Sequence, residues 1–226
     1  MTAGYTWEEI RAQLVKLAAY IPPGETLELC VFGGSTVLCW GMQDRLSNDV
    51  DVLQSMSSPG LLEVAAAAAG AIRFRNADDP EPQEPYIEIA PPEADPYLPR
   101  FSVFEQVEIA PNLVLNLPAP EEIAASKMAF ADRIVRVKDL QDIDFIRKNF
   151  SITQDQILRK IFGIEIESHR RCAIMNWNQL DRLISEIPKR ITELEKHMSL
   201  VDELEQKRQI ETESEEQEEE GRGRRV

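Results

Sequence analysis

Trp7, Ile10, Leu14 and Leu17 recur three and four residues apart behind Thr6, and Glu9 stands three residues after that threonine. The pattern predicts an amphipathic helix opened by a capping box and stopped by Pro22-Pro23-Gly24. Thr26 to Phe32 is short, apolar and β-favouring, and it runs directly into Gly33-Gly34-Ser35; Thr36 to Trp40 then fits a helix. From Asn48 to Leu53 polar and apolar residues alternate. A strand there would carry Asp49 and Asp51 on one face and Val50 and Val52 on the other, so the two carboxylates would converge.

Further along, Leu61 to Ala69 reads as an alanine-rich helix and Ala77 to Pro85 as a polar, proline-rich loop. Tyr86-Ile87-Glu88-Ile89, Phe101 to Ile109 and Leu113 to Leu117 read as three more strands. Pro120 with Glu121 and Glu122 opens a helix to about Val135, and Asp139 to Asn149 forms another, with Leu140, Ile143 and Ile146 on one face. Thr153 to Ile161 and Ala173 to Lys207 are helix-like, and Glu211 to Val226 is low-complexity and charged. The expected fold is α/β (α+β), a mixed sheet flanked by helices and followed by C-terminal helices. Its expected divisions are an α/β domain over 1–150, a helical region over 151–208 and a disordered acidic tail over 209–226.

Composition narrows the class. With 43% hydrophobic and 29% charged residues the chain can build an ordinary globular core, and no window approaches the roughly 18 apolar residues of a membrane span. The N-terminus lacks a basic patch followed by an apolar run, so a cytoplasmic protein without membrane association is expected. Cys30, Cys39 and Cys172 are unclustered and fit buried or free thiols in a reducing compartment. The formal net charge is −15, and Val201 to Val226 alone holds ten acids against five bases. A long polynucleotide would meet a repulsive average field, so nucleic-acid binding would need a local basic patch.

Two carboxylates one residue apart on a strand can bind Mg²⁺, which neutralises triphosphate charge and orients an attacking oxygen. Alone, such a pair is weakly specific. Here it follows Gly33-Gly34-Ser35, whose backbone amides suit a phosphate. His169 and His197 have no carboxylate or cysteine at ligand spacing and read as structural.

Phe32-Gly33-Gly34-Ser35-Thr36-Val37-Leu38 followed by Arg45-Leu46-Ser47-Asn48-Asp49-Val50-Asp51-Val52-Leu53 resembles the glycine-serine and DxD signature of the nucleotidyltransferase superfamily. It looks closest to the small bacterial branch that contains abortive-infection toxins of the AbiEii type. Lys127, then Arg136-Val137-Lys138-Asp139-Leu140-Gln141-Asp142, is similar to that branch's lysine and R-x-K-D-x-x-D segment, and the resemblance covers roughly residues 28–150. It implies that Gly33, Gly34 and Ser35 hold the phosphates of an NTP such as ATP. Asp49 and Asp51 would hold Mg²⁺, Lys127 would meet a phosphate or the base, and Lys138, Asp139 and Asp142 would lie nearby. Glu88 would supply the third carboxylate that active members carry. The implied activity is transfer of a nucleotidyl group to a hydroxyl on tRNA or protein, in a toxin or phage-defence setting with an antitoxin partner. The alternative is a catalytically degenerate binding module acting through its C-terminal helices.

Simpler readings stand beside these. Arg45 and Ser47 contact the nucleotide or sit in a solvated loop. Lys127 meets the nucleotide or snorkels to water. Asp139 belongs to the site or serves as a first-turn acid of its own helix, and Asp142 could pair with Arg147 or Lys148.

Overall fold

The computed structural model describes residues 4–43, 45–75, 85–130, 136–193 and 196. Helix α1 (Trp7–Ala18) starts at the expected capping box: Thr6 Oγ1 accepts the Glu9 amide, and the Glu9 carboxylate accepts the Thr6 amide at 2.8 Å. Ile10, Leu14 and Leu17 on its inner face are buried. Strand β1 (Leu27–Phe32) passes without a loop into α2 (Gly33–Cys39). That helix begins three residues before the expected start at Thr36, because Gly33 takes φ +73°, a left-handed conformation that turns an extended strand into a helix within one residue.

Next come β2 (Asp49–Leu53), α3 (Leu61–Ala68), β3 (Arg73–Arg75), β4 (Tyr86–Ala90), β5 (Val103–Ala110) and β6 (Leu113–Pro118). The three-residue β3 was not anticipated: Arg73-Phe74-Arg75 is too short for a period-2 pattern to register. The six strands form one mixed sheet in the order β3-β4-β2-β1-β6-β5. Central β1 pairs antiparallel with β2 and parallel with β6, while β4 runs parallel to both β2 and β3.

Side chains directly opposite on paired strands share a face. Leu29, Val31, Val50, Val52, Ile87, Leu113, Leu115 and Leu117 therefore point to one side, where they pack with α1 and α3 into the main core. The other face carries Glu28, Asn116, Asp49, Asp51, Tyr86 and Glu88. A small apolar cluster of Cys30, Leu53 and Leu98, with Phe32, Ala90 and Phe101 packed on it, covers part of that face.

Helices α4 (Pro120–Phe130), α5 (Val137–Asn149), α6 (Gln154–Phe162) and α7 (Glu167–Trp177) follow. Both α6 and α7 pack on α4; Lys160 bonds the fully buried Glu122 at 2.5 Å, and Asn176 Nδ2 donates to the Met128 carbonyl at 2.8 Å. Instead of one run from Ala173, α7 opens at Glu167 and ends at Trp177, and α8 (Leu180–Ser185) resumes after Asn178-Gln179. The apolar stripe of Leu180, Leu183 and Ile184 continues past this break, so periodicity alone does not reveal it. The chain divides into two compact units, residues 1–181 and 182–226. In the second, residues 187–193 are helical, with exposed Lys189–Glu193 pairing at 3.8 Å. The loop expected over 77–84 and the tail over 209–226 lie outside the described residues. No described helix is long and apolar enough to cross a membrane.

Candidate functional site

The site grows from the junction of β1 and α2. A Cβ placed on Gly33 would lie 2.0 Å from Asp51 Oδ2, and one on Gly34 would lie 2.5 Å from Arg45 Nη2 and 3.1 Å from Ser47 Oγ. Only glycine lets the turn come this close to three side chains of the expected site. Ser35 is different. Its side chain is fully buried and its hydroxyl donates to the Phe32 carbonyl at 3.1 Å, as Thr36 donates to Val31, so both hydroxyls close the end of β1.

On β2 the burial alternates as the sequence requires, with Val50 and Val52 in the core and Asp49 and Asp51 half-buried on the opposite face. Asp49 Oδ1 accepts from Ser47 Oγ at 3.0 Å and Oδ2 from the Tyr86 hydroxyl at 3.4 Å. Asp51 sits opposite Glu88 in the β2–β4 register and opposite Phe32 in the β1–β2 register. Burial first, then the charges of Asp49 and Glu88, push the Asp51 carboxyl well above the usual carboxylate range, against the opposing pull of Lys127 and Lys138. Glu88 is itself engaged: Arg75 Nη1 lies 2.5 Å from its Oε2, and the guanidinium stands 5.7 Å from the centroid of the Tyr86 ring. Tyr86 and Arg75 escaped the sequence reading. Tyr86 could have been found, being two residues before Glu88 on the same strand face, whereas Arg75 becomes visible only through the β3–β4 pairing.

Beside the acids lies a buried ionic network. Arg45 approaches Asp142 with Nε at 2.9 Å and Nη2 at 3.4 Å, and also donates to the Leu46 carbonyl. Lys127 Nζ lies 2.6 Å from Asp142 and 3.2 Å from Asp139, and Arg136 adds a 2.6 Å bond to Asp139. Arg45, Lys127, Asp139 and Asp142 are all at least nine-tenths buried.

Three simpler readings are thereby corrected. Arg45 and Ser47 are buried rather than in a solvated loop, since Tyr5 pins their segment through paired backbone hydrogen bonds with Ser47 at 2.9 and 3.1 Å. Lys127 does not snorkel, because two acids hold it inside. Asp142 pairs with Arg45 and Lys127, while Arg147 goes to Asp181 and Lys148 to Asp144. Asp139 is both a first-turn acid of α5 and a member of the network. Burial would raise its carboxyl, but Lys127 and Arg136 outweigh burial and hold it below the usual range.

Lys138 stands apart. Its side chain is exposed, and among the described residues it forms no ion pair. Partial desolvation, with Arg136 and Arg45 near, lowers its pKa, and the charges of Asp139 and Asp49 act against that. It is the cation of this group not already committed to a carboxylate.

Among the described residues no three Asp, Glu, His or Cys side chains are arranged to hold a metal ion. Asp49 and Asp51 nevertheless present carboxyl oxygens on one face, and among the described residues neither forms an ion pair. Two hard oxygen donors side by side suit a divalent ion. Burial, with Glu122 and Asp95, pushes Cys30 to about 12, and burial with Glu105 does the same for Cys39, so neither thiol presents a thiolate here. His169 meets Tyr97 edge-on at 4.9 Å between centroids, and His197 lies outside the described residues. No protein-family model, curated protein or solved structure matches the chain.

Proposed function

We propose that this chain binds an NTP with Mg²⁺ and transfers its nucleotidyl group to a hydroxyl acceptor on tRNA or protein. The observation that carries the reading is the approach of the Gly33-Gly34 turn to Asp51, Arg45 and Ser47, beside an acid pair that forms no ion pair among the described residues. Asp49 and Asp51 would hold the ion, which neutralises phosphate charge when bound. Ser47 and Tyr86 orient Asp49 by donating to it. Lys138 is the cation available for a phosphate oxygen, while Arg45 and Lys127 keep the surrounding backbone in place through Asp142 and Asp139. In transfer, the acceptor oxygen bonds the α-phosphorus as the bond to the departing pyrophosphate breaks. The acceptor's proton passes to a carboxylate of the acid face. A toxin or phage-defence role silenced by an antitoxin is a setting compatible with this chemistry.

One observation favours a second reading, nucleotide binding without turnover: Glu88, the candidate base, is bonded to Arg75. Calorimetric titration of Mg²⁺ with ATP, GTP, CTP and UTP separately tests the site, with saturable binding expected for the wild type and loss in Asp51→Asn. Incubation of labelled NTPs with cell extract then separates the readings. Labelled product indicates transfer, binding without product indicates the binding module, and absence of both rejects the nucleotide site.

A further inference from the structure

Strand β3 lies at the edge of the sheet beside β4, and its register sets Arg73 opposite Tyr86 and Arg75 opposite Glu88. Arg75 therefore stands on the same face as the acids, one strand beyond Glu88 and two beyond Asp51. Its side chain is 21% exposed and that of Glu88 25%, so the pair is partly withdrawn from water and held more firmly than a fully solvated one. The planar guanidinium also stands over the Tyr86 ring, whose hydroxyl reaches Asp49. One arginine thus touches both groups that flank the acid pair. Glu88 spends its charge on Arg75, whereas among the described residues Asp49 and Asp51 form no ion pair.

We propose that Arg75 is a built-in counter-ion that withholds Glu88 from divalent-cation binding, so that the wild-type site takes its ion on Asp49 and Asp51 alone. This rests on the acid-pair site proposed above and adds to it a positioning residue that limits its ligands. A carboxylate that accepts a short guanidinium bond has less charge to offer a cation, and freeing it would give the ion a third hard oxygen donor.

Mn²⁺ titration of the full chain, with free ion read by electron paramagnetic resonance, tests the assignment without any turnover. Arg75→Gln is expected to tighten Mn²⁺ binding about tenfold or to add a second bound ion, the scale on which outer partners tune metal affinity. Arg75→Gln with Glu88→Gln is expected to return to the wild-type value, because the gain acts through Glu88. Glu88→Gln alone is expected to stay within about twofold of wild type, since the carboxylate it removes is not a ligand. Circular dichroism checks that each variant is folded. If Arg75→Gln does not fold, Glu88→Gln decides alone, and a tenfold loss there overturns the proposal. Equal Mn²⁺ binding by wild type and a folded Arg75→Gln also overturns it, with the acid-pair site left standing provided Asp51→Asn abolishes the binding. No Mn²⁺ binding by either folded protein rejects both the site and the counter-ion.

Discussion

Two glycines with left-handed backbones separate conformational strain from collision. Gly24 has φ +83° with nothing within 4 Å of an added Cβ, whereas Gly33 has φ +73° and the Asp51 carboxylate in the way. Alanine at either costs on the order of 1–3 kcal/mol through φ alone. Gly33→Ala must also displace Asp51, so denaturant unfolding should show the larger loss there, and only Gly33→Ala should weaken Mg²⁺–NTP binding. Asp51 itself carries a pH signature. Its folded-state pKa is raised, so the native chain binds more protons than the unfolded chain above the ordinary carboxylate value, and stability falls as pH rises through that window. Asp51→Asn should therefore unfold at a higher temperature than wild type at pH 7, with the gain shrinking as pH approaches about 4, while cation binding disappears. A thermal-unfolding series from pH 4 to 8 would check the sign. The identities Gly33, Asp49 and Asp51 were legible in the sequence because a glycine pair and an alternating acid pair are local patterns; the bond from the Ser35 hydroxyl to the Phe32 carbonyl was not, because it depends on how the turn ends β1.

The joining of α2, α4 and α5 to the sheet shows how charge becomes structure when buried. Asp142 is fully buried and serves both Arg45 and Lys127, each 7% exposed. Asp142→Ala leaves the buried Arg45 without a carboxylate and Lys127 with Asp139 alone, and should cost about 3–5 kcal/mol in chemical denaturation. Arg147→Ala, which removes a bond to the 72% exposed Asp181, should change stability by no more than about 1 kcal/mol. The depressed Asp139 carboxyl contributes stability that is present above the ordinary carboxylate pKa and lost as pH falls through its lowered value. Wild type and Asp139→Asn should thus converge in stability below about pH 4, as followed by urea unfolding at stepped pH. The positions of α1 and α5 were legible because the capping box at Thr6 and the 3.6-residue period are local signals. The partners of Lys127 and Asp142 were not, since 97 residues separate Arg45 from Asp142 and no local pattern encodes that approach.

For the molecule as a whole, α6 and α7 are parts of the first unit's packing rather than additions to it. Glu122, at the start of α4, accepts from the Ser102 amide and hydroxyl, the Ala119 amide and Lys160, and Met128 on the same helix is fully buried. A chain ended after residue 150 would expose that helix and leave Glu122 without its lysine. Circular dichroism melting should show a cooperative transition for a chain ended at 181 and its loss, or a large downward shift, for one ended at 150. The compact unit of residues 1–181 gives the first of these its basis.

What the chain's sequence determined alone is what short-range chemistry encodes: an α/β order of elements, the faces of α1 and β2, and an acid pair placed after a glycine turn. Period and capping act over a few residues, so they survive without knowledge of the fold. Tertiary structure alone decided which carboxylates remain available. Asp139 and Asp142 are consumed by Arg45, Lys127 and Arg136, Glu88 by Arg75 from the sheet edge, and Asp49 and Asp51 are left without an ion pair among the described residues. Ion pairing depends on distance through space and on exclusion of water, and strand order and helix packing set both.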